Sequence, residues 1–274
     1  MVKLRDFQGR WVEIPEKIER MISLNPSITE IISLLGMETE LKGVSAFCRR
    51  PESVEKIRKI GSYSTYNETL VNELEPELVL TISGYQEKLS RKLSEKFNVF
   101  EIELPSSPFG ILDMVSRLGI ILSKTREADK LIKKMLDVAN LDELGFPLIK
   151  AYLEIDLGGP VSFGNLSYIT KTLNYFNLET PYDKTTKEWL TPDYNEVLNF
   201  NPQILIFEGK MYRGIEKEDA KSRISNTPLS RTDAFRDDLI FCTPGKLDFF
   251  AHHGPSFFLE VIPWLRSILR NLKI

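Results

Sequence analysis

His252 and His253 are the only two histidines in the chain, adjacent to one another with Asp248 four residues before the first. A caged divalent metal draws several His and carboxylate ligands, and two imidazoles cannot supply a His-rich cage, so no resident metal or cofactor is expected. One of the pair could still serve as a single axial ligand to a metal already held in a macrocycle; the alternative is a pair of loop histidines without a role. The sequence holds no GxxxxGK[ST], no GxGxxG after a strand, no GxSxG and no HExxH. Gly158-Gly159-Pro160 lacks the third glycine and tight helix start that a pyrophosphate requires, and reads as a turn. Asp and Glu fall mostly on helix faces, where solvation accounts for them, so no catalytic pair stands out and no catalytic residue is assigned. Cys48 and Cys242 are far apart without a CxxC motif and read as two buried thiols, their disulfide state open.

The positive signal is aromatic. Phe47, Tyr63, Tyr66, Tyr85, Phe163 and Trp189 fall in segments that follow strands or precede helices, so they gather toward one side of the sheets. Such a lining suits a large, flat, partly apolar ligand; the competing reading packs them beneath their loops. Asn25-Pro26 lies between a short strand and a helix, where backbone N–H groups point to the space above the strand's carboxyl end. That is a ligand position in open α/β sheets, or an ordinary βα turn.

Elements that position these residues alternate along the chain. Val2 to Ile14 predicts an opening hairpin. Strands at 20–24, 41–47, 77–82 and 99–104 alternate with helices at 28–35, 53–59, 67–74 and 88–97, which gives a parallel sheet flanked by helices. From Ser107 to Leu144 apolar residues recur at helical spacing, first Ile111, Leu112, Val115, Leu118 and Leu122, then Ala128, Leu131, Ile132, Met135, Leu136 and Val138. This stretch predicts about 20 residues of continuous helix joining two lobes, with Ser123 as a cap of its second part. The alternation then restarts, with strands at 150–155, 203–207 and 238–242, a Gly-rich loop at 156–165, a polar segment with Trp189 before a helix that ends at Phe200, and a last helix at 256–269. The fold class is α/β, two Rossmann-like lobes with mainly parallel sheets bridged by one long α-helix: residues 1–106, a connecting segment 107–147, and residues 148–274. Asn67-Glu68…Glu75-Pro76-ELVLTISG and Asn195-Glu196…Asn201-Pro202-QILIFEG share a phrase, which points to a weak internal duplication.

Composition narrows the function. The 274 residues are 42% hydrophobic and 27% charged, with 36 Lys plus Arg against 39 acids and a net charge of −3. No basic stripe suits a nucleic-acid backbone, and no apolar run of about 18 residues could span a bilayer. The opening MVKLRDFQGR has no signal-peptide core, so the expectation is a cytoplasmic protein if Met1 is native, or an export signal or lipid anchor already removed.

The phrase Arg20-Met-Ile-Ser-Leu-Asn-Pro-Ser-Ile-Thr-Glu30, with Leu34-Leu35-Gly36 and Gly43-Val44-Ser45, resembles the substrate-binding proteins of cobalamin and iron-chelate ABC importers. LRDFQGRWVEIP, LEPELVL, NPQILIF and WLRSIL extend the resemblance over essentially the whole chain. It implies a monomeric, extracytoplasmic binding protein, not an enzyme, that holds a corrinoid, haem or ferric siderophore in a cleft between its lobes. Its partners would be that small molecule and an ABC permease, with contact to a membrane only through the permease or an anchor. Phe47, Tyr63 and Trp189 match the aromatics of cobalamin binders, and Phe163 lies near its expected place; haem and siderophore binders share the framework and often use a His, Tyr or Met ligand, which keeps Tyr63, His252 and His253 as candidates. Such proteins dock on arginines of the permease through a glutamate on each lobe, seven residues before a helix-ending proline. Counting back from Pro76 and Pro202 gives Thr69 and Asn195, with the acids one position away at Glu68 and Glu196. Two alternatives stand beside this reading: a cytoplasmic corrinoid- or tetrapyrrole-handling protein without a transporter, and a chelatase-like enzyme, whose lobes look alike, with His252 or His253 and Glu260 or Asp248 inserting a metal.

Overall fold

A computed structural model describes residues 2–140 and 145–272, so Met1 and the end of the central stretch, 141–144, lie outside the described residues. The chain forms two compact units. Unit 1 comprises Met1–Leu104, Phe109–Val138 and His253–Pro255; unit 2 comprises Pro105–Pro108, Ala139–His252 and Ser256–Ile274.

Unit 1 opens with a hairpin of β1 (Val2–Arg5) and β2 (Trp11–Ile14). There follow β3 (Met21–Ser23), α1 (Pro26–Leu34), β4 (Leu41–Ser45), β5 (Lys59–Gly61), α2 (Glu68–Leu74), β6 (Leu78–Ile82), α3 (Glu87–Ser94) and β7 (Val99–Ile102). The sheet runs β5-β4-β3-β6-β7 with every pairing parallel. Its central strands are buried on both faces, which is why they read as apolar runs such as Leu78–Ile82 rather than as alternation. One core packs Ile22, Leu24, Ile60, Val71, Val79, Leu89 and Leu93 beneath α2 and α3. Residues 53–59, expected as a helix, form a 3₁₀ turn at Glu52–Lys56 and then the edge strand β5.

The central stretch forms two helices, α4 (Pro108–Ile121) and α5 (Thr125–Ala139), rather than one continuous one. Ser123 explains the break. It stands at φ 56, and its N–H reaches the Ile120 carbonyl at 3.2 Å while the Lys124 N–H reaches Gly119 O at 2.6 Å. This pair of bonds is the left-handed helix end that closes α4, so Ser123 stops the first helix instead of capping the second. The helices then meet closely: a Cβ on Gly119 would stand 2.5 Å from the Ala128 Cβ.

Unit 2 contains β8 (Ile149–Asp156), β9 (Pro160–Phe163), α6 (Tyr168–Tyr175), β10 (Leu178–Glu179), β11 (Trp189–Leu190), α7 (Tyr194–Phe200), β12 (Ile204–Glu208), α8 (Lys217–Ile224), α9 (Asp233–Arg236), β13 (Ile240–Cys242) and α10 (Ile262–Asn271). Its strand order is β11-β9-β8-β12-β13, with β10 pairing β8. The β8, β12, β13 and β10 pairings are parallel, whereas β9 folds back antiparallel on β8 and carries β11 antiparallel on its outer edge. The Gly-rich segment 156–165 is therefore a turn plus a strand. Asp156 Oδ1 accepts from the N–H groups of Gly158 and Gly159, at 2.9 and 3.1 Å, and pins the turn. The closing helix begins as a π turn at Phe257–Val261 before α10.

The duplicated phrase folds alike in both units. α2 and α7 each span seven residues, are N-capped by Asn67 and Asp193, and end in left-handed residues, Glu75 at φ 43 and Asn201 at φ 53. A proline and a buried five-residue strand follow each. Asn tolerates the left-handed region better than Glu, and Asn201 also bonds Asp233 through both ends of its amide, at 2.9 Å each. Glu75→Gly should therefore raise unfolding stability by about 0.5–1 kcal/mol. Asn201→Gly should lower it, because the Asp233 contacts vanish; urea denaturation of both variants checks the opposite signs.

Candidate functional site

Unit 1 gathers four rings from four separate segments. Phe47 and Tyr63 stack with centroids 4.2 Å apart and planes 13° from parallel. Tyr85 meets Tyr63 edge-on at 5.6 Å, and His253 meets Tyr85 at 6.5 Å. Offset-stacked and edge-to-face pairs are the favoured aromatic geometries, so the row is mutually supporting. Exposure changes along the row: Tyr85 is 38% exposed and His253, at the end, only 5%.

Backbone and buried amides hold these rings. Phe47 and Cys48 follow β4 in a turn where Cys48 N donates to Ser45 O at 3.1 Å. Burial pushes the Cys48 thiol up from its ordinary value, although the hydroxyls of Ser45 and Thr29 stand 3.2 and 3.1 Å away; it is a core thiol. Tyr63 sits in the turn closed by Ser62 N to Thr65 O at 2.8 Å. Gln86, fully buried, donates through Nε2 to Leu24 O at 3.0 Å and Tyr63 O at 3.2 Å, and accepts from Ile82 N at 3.1 Å. Gln86 thus ties β3, β6 and the Tyr63 turn together. Its signal in the sequence was slight, a lone glutamine directly after Ser83-Gly84-Tyr85.

Asn25 lies beneath Tyr85 and His253. It caps α1, accepting from Ser27 N and Ile28 N at 2.9 and 3.0 Å through Oδ1, and its Nδ2 donates to the Tyr85 hydroxyl at 2.7 Å. Pro26 follows as the first helical residue, where its missing N–H costs nothing. Tyr66 is not part of the row: it packs against the core under α2 and α3, with Lys92 Nζ 5.5 Å from its ring centroid.

In unit 2, Phe163 and Trp189 are directly paired across β9 and β11. Opposed residues on an antiparallel pair project to the same face, so they form one aromatic patch, with Trp189 46% exposed. Trp189 was expected in a loop; the strand pairing holds it. Gly164 is needed beside it, because a Cβ there would lie 2.5 Å from the carbonyl oxygens of Thr185 and Lys187. The segment before α7 is anchored by Tyr182, whose hydroxyl accepts from Asp193 N at 3.1 Å, and burial pushes that phenol up to about 12. Buried Glu154 gathers Tyr152 at 2.6 Å, Tyr194 at 2.9 Å and Arg223 at 2.8 Å, which fixes the first residue of α7.

The two histidines part company in their surroundings. His252 is 1% exposed and lies 3.7 Å from Asp248 in unit 2; His253 belongs with the aromatic row of unit 1. Glu260 is exposed on the π turn. Glu208, at the end of β12, is buried and accepts from Phe249 N at 2.9 Å and Phe250 N at 2.6 Å, with burial pushing it up to about 7. Among the described residues no three His, Cys, Asp or Glu side chains gather as a metal site, and no helix is long and apolar enough to cross a membrane.

Residues 21–247 match the model of the family described as periplasmic binding protein. The chain belongs to the periplasmic binding protein family. It is 22% identical over 251 residues to an ABC transporter substrate-binding lipoprotein of Bacillus subtilis, covering 87% of this chain and 79% of that protein. A 66-residue stretch, 24% of each chain, is 38% identical to a vitamin B12-binding protein of Yersinia pestis. Among solved structures, a possible iron-binding periplasmic solute-binding protein from Staphylococcus epidermidis superposes with a TM-score of 0.77 at 20% identity, covering 92% of this chain and 99% of that one. The periplasmic vitamin B12 binding protein of Vibrio cholerae gives 0.75 at 14% identity, covering 93% and 98%. The family and these relatives are binding proteins on an α/β fold, one of them an ABC transporter substrate-binding lipoprotein; the chain is a binding protein rather than an enzyme, and on that ground the chelatase reading is set aside.

In this periplasmic binding protein the two acids Glu68 and Glu196 are not in equivalent positions. Matching the caps pairs Asn67 with Asp193 and Pro76 with Pro202, so Glu68 is the first residue of α2 whereas Glu196 is the third of α7. The shared phrase drawn from Asn67-Glu68 and Asn195-Glu196 is thus two residues out of step, which turns the side chains apart by about 200°. Glu68 is engaged by Lys96, and Glu196 is exposed.

Beside Trp189, Glu188 is half-buried, and loss of solvent pushes its carboxyl up to about 7. An acid raised in the fold holds its proton there while the unfolded chain has lost it. Stability from this site is therefore complete below the ordinary carboxylate value near 4.5 and falls as pH rises through about 7. Glu188→Gln should flatten that decline, with melting temperature against wild type rising at the alkaline end only; a parallel shift at all pH values would contradict the assignment.

Proposed function

We propose that the chain captures a cobalamin-like corrinoid or an iron chelate, haem or a ferric siderophore, for an ABC importer. The observation that carries this is the Phe47–Tyr63 stack continued by Tyr85 and His253. A row of rings offers apolar area at small conformational cost and suits a flat macrocycle or an aryl chelate better than a sugar or an amino acid, which needs a dense set of polar partners. Phe163 and Trp189 offer a second apolar face of the same character on unit 2. The vitamin B12 and iron binding stated for the relatives supports the same ligand class. The partner is an ABC permease, as the Bacillus subtilis relative's description supports. Exposed Glu196 and Glu68, once released from Lys96, are the acids proposed to meet it.

Titration with cyanocobalamin, haemin and a ferric siderophore, followed by tryptophan fluorescence, tests the reading. One of the three should bind, and Phe47→Ala should weaken it about tenfold, the loss of about 1.4 kcal/mol expected for one aromatic contact. No quenching by any of the three would overturn the proposal.

A further inference from the structure

Asn25 is fully buried, and its amide is used at both ends. Oδ1 accepts from the first free N–H groups of α1, at 2.9 Å from Ser27 N and 3.0 Å from Ile28 N. Turning the amide over would set its NH2 group against two N–H donors, so the orientation is fixed by the helix. Nδ2 then has two hydrogens, one directed to the Tyr85 hydroxyl oxygen at 2.7 Å and the other facing His253 Nε2 at 3.4 Å. Both groups must act as acceptors toward Asn25. Helix capping alone does not select asparagine, since Asp and Ser cap about as well. Asn accepts from the helix and supplies two donors to the aromatic row at once.

Resting on the ligand reading above, we propose that Asn25 is the positioning residue of the site: it commits the lone pair of His253 Nε2 to an internal hydrogen bond, so that His253 acts as an acceptor within the row and not as a metal ligand through Nε2. The imidazole then carries its proton on Nδ1. Tyr85 is held with its oxygen toward Asn25, which keeps its ring edge-on to Tyr63. The ligand class that follows is a chelate held here by its face and its periphery, with a metal that needs nothing from His253 Nε2, such as a corrinoid or a saturated ferric siderophore, rather than a haem whose iron takes that nitrogen.

Asn25→Asp separates the roles, because a carboxylate still caps α1 but cannot donate. Asn25→Ser is the second variant, capping with a hydroxyl too short to reach Tyr85. Long-range proton–nitrogen NMR of histidine-labelled protein at about pH 8, where a free imidazole is neutral, reads the tautomer without any ligand. Wild type should show His253 with bare Nε2 and protonated Nδ1, and Asn25→Asp should move the proton to Nε2, where it donates to the new carboxylate. A wild-type proton on Nε2, or an Asn25→Asp spectrum unchanged from wild type, would overturn the inference. The second arm adds cyanocobalamin, haemin and a ferric siderophore to wild type. Binding of cobalamin or siderophore, about tenfold weaker in both variants, supports the ligand class. A haemin spectrum whose iron–imidazole signature is lost in His253→Ala overturns it. If none of the three binds while the tautomers behave as expected, the proposed function fails and the positioning role stands.

Discussion

A buried amide that cannot turn over organises the site face of unit 1. The first turn of α1 needs acceptors for its free N–H groups, and the Asn25 oxygen provides one. Because that oxygen is committed, the nitrogen end is committed too, and Tyr85 and His253 inherit their roles as acceptors from a helix cap. Losing a buried partner of this kind leaves polar groups desolvated and unpaired, at roughly 1–3 kcal/mol each. A capping requirement, local and general, thereby becomes a constraint on ligand chemistry.

The two units answer the same architectural problem differently at their strand ends. Unit 1 places single rings on loops and steadies them with buried amides, Asn25 and Gln86. Unit 2 instead extends its sheet with β9 and β11, so that Phe163 and Trp189 are held by strand pairing. Beneath these differences the capped helix, left-handed stop, proline and buried strand recur in both, which is the duplicated framework. The symmetry breaks at Glu68 and Glu196, two positions apart once the caps are matched.

Much of this was legible in the sequence, for physical reasons. Buried parallel strands such as Leu78–Ile82 and Ile204–Glu208 declare themselves as unbroken apolar runs, and prolines after α2 and α7 mark helix ends. Of the ring residues, Phe47, Tyr63 and Tyr85 come together, while Tyr66 turns into the core although it lies in the same loop; the bridge pairing Gly61 with Tyr66 sets its direction, and side-chain direction in a tight turn is not visible in residue type. The break at Ser123 was hidden because helical spacing of apolar residues continues across it, and only φ 56 at a serine ends α4. Strands β9 and β11 were hidden by glycines and by their shortness. The second use of Asn25 was hidden because a cap reads from sequence as a local feature, whereas its partners Tyr85 and His253 are 60 and 228 residues away.

The row of rings from Phe47 to His253 is proposed as a ligand-binding surface. Hydrogen–deuterium exchange of the protein, alone and saturated in turn with cyanocobalamin, haemin and a ferric siderophore, addresses it most directly. A ligand that binds should slow exchange in the segments around Asn25, Phe47, Tyr63 and Tyr85. Binding that leaves all four segments unchanged and protects others would contradict it.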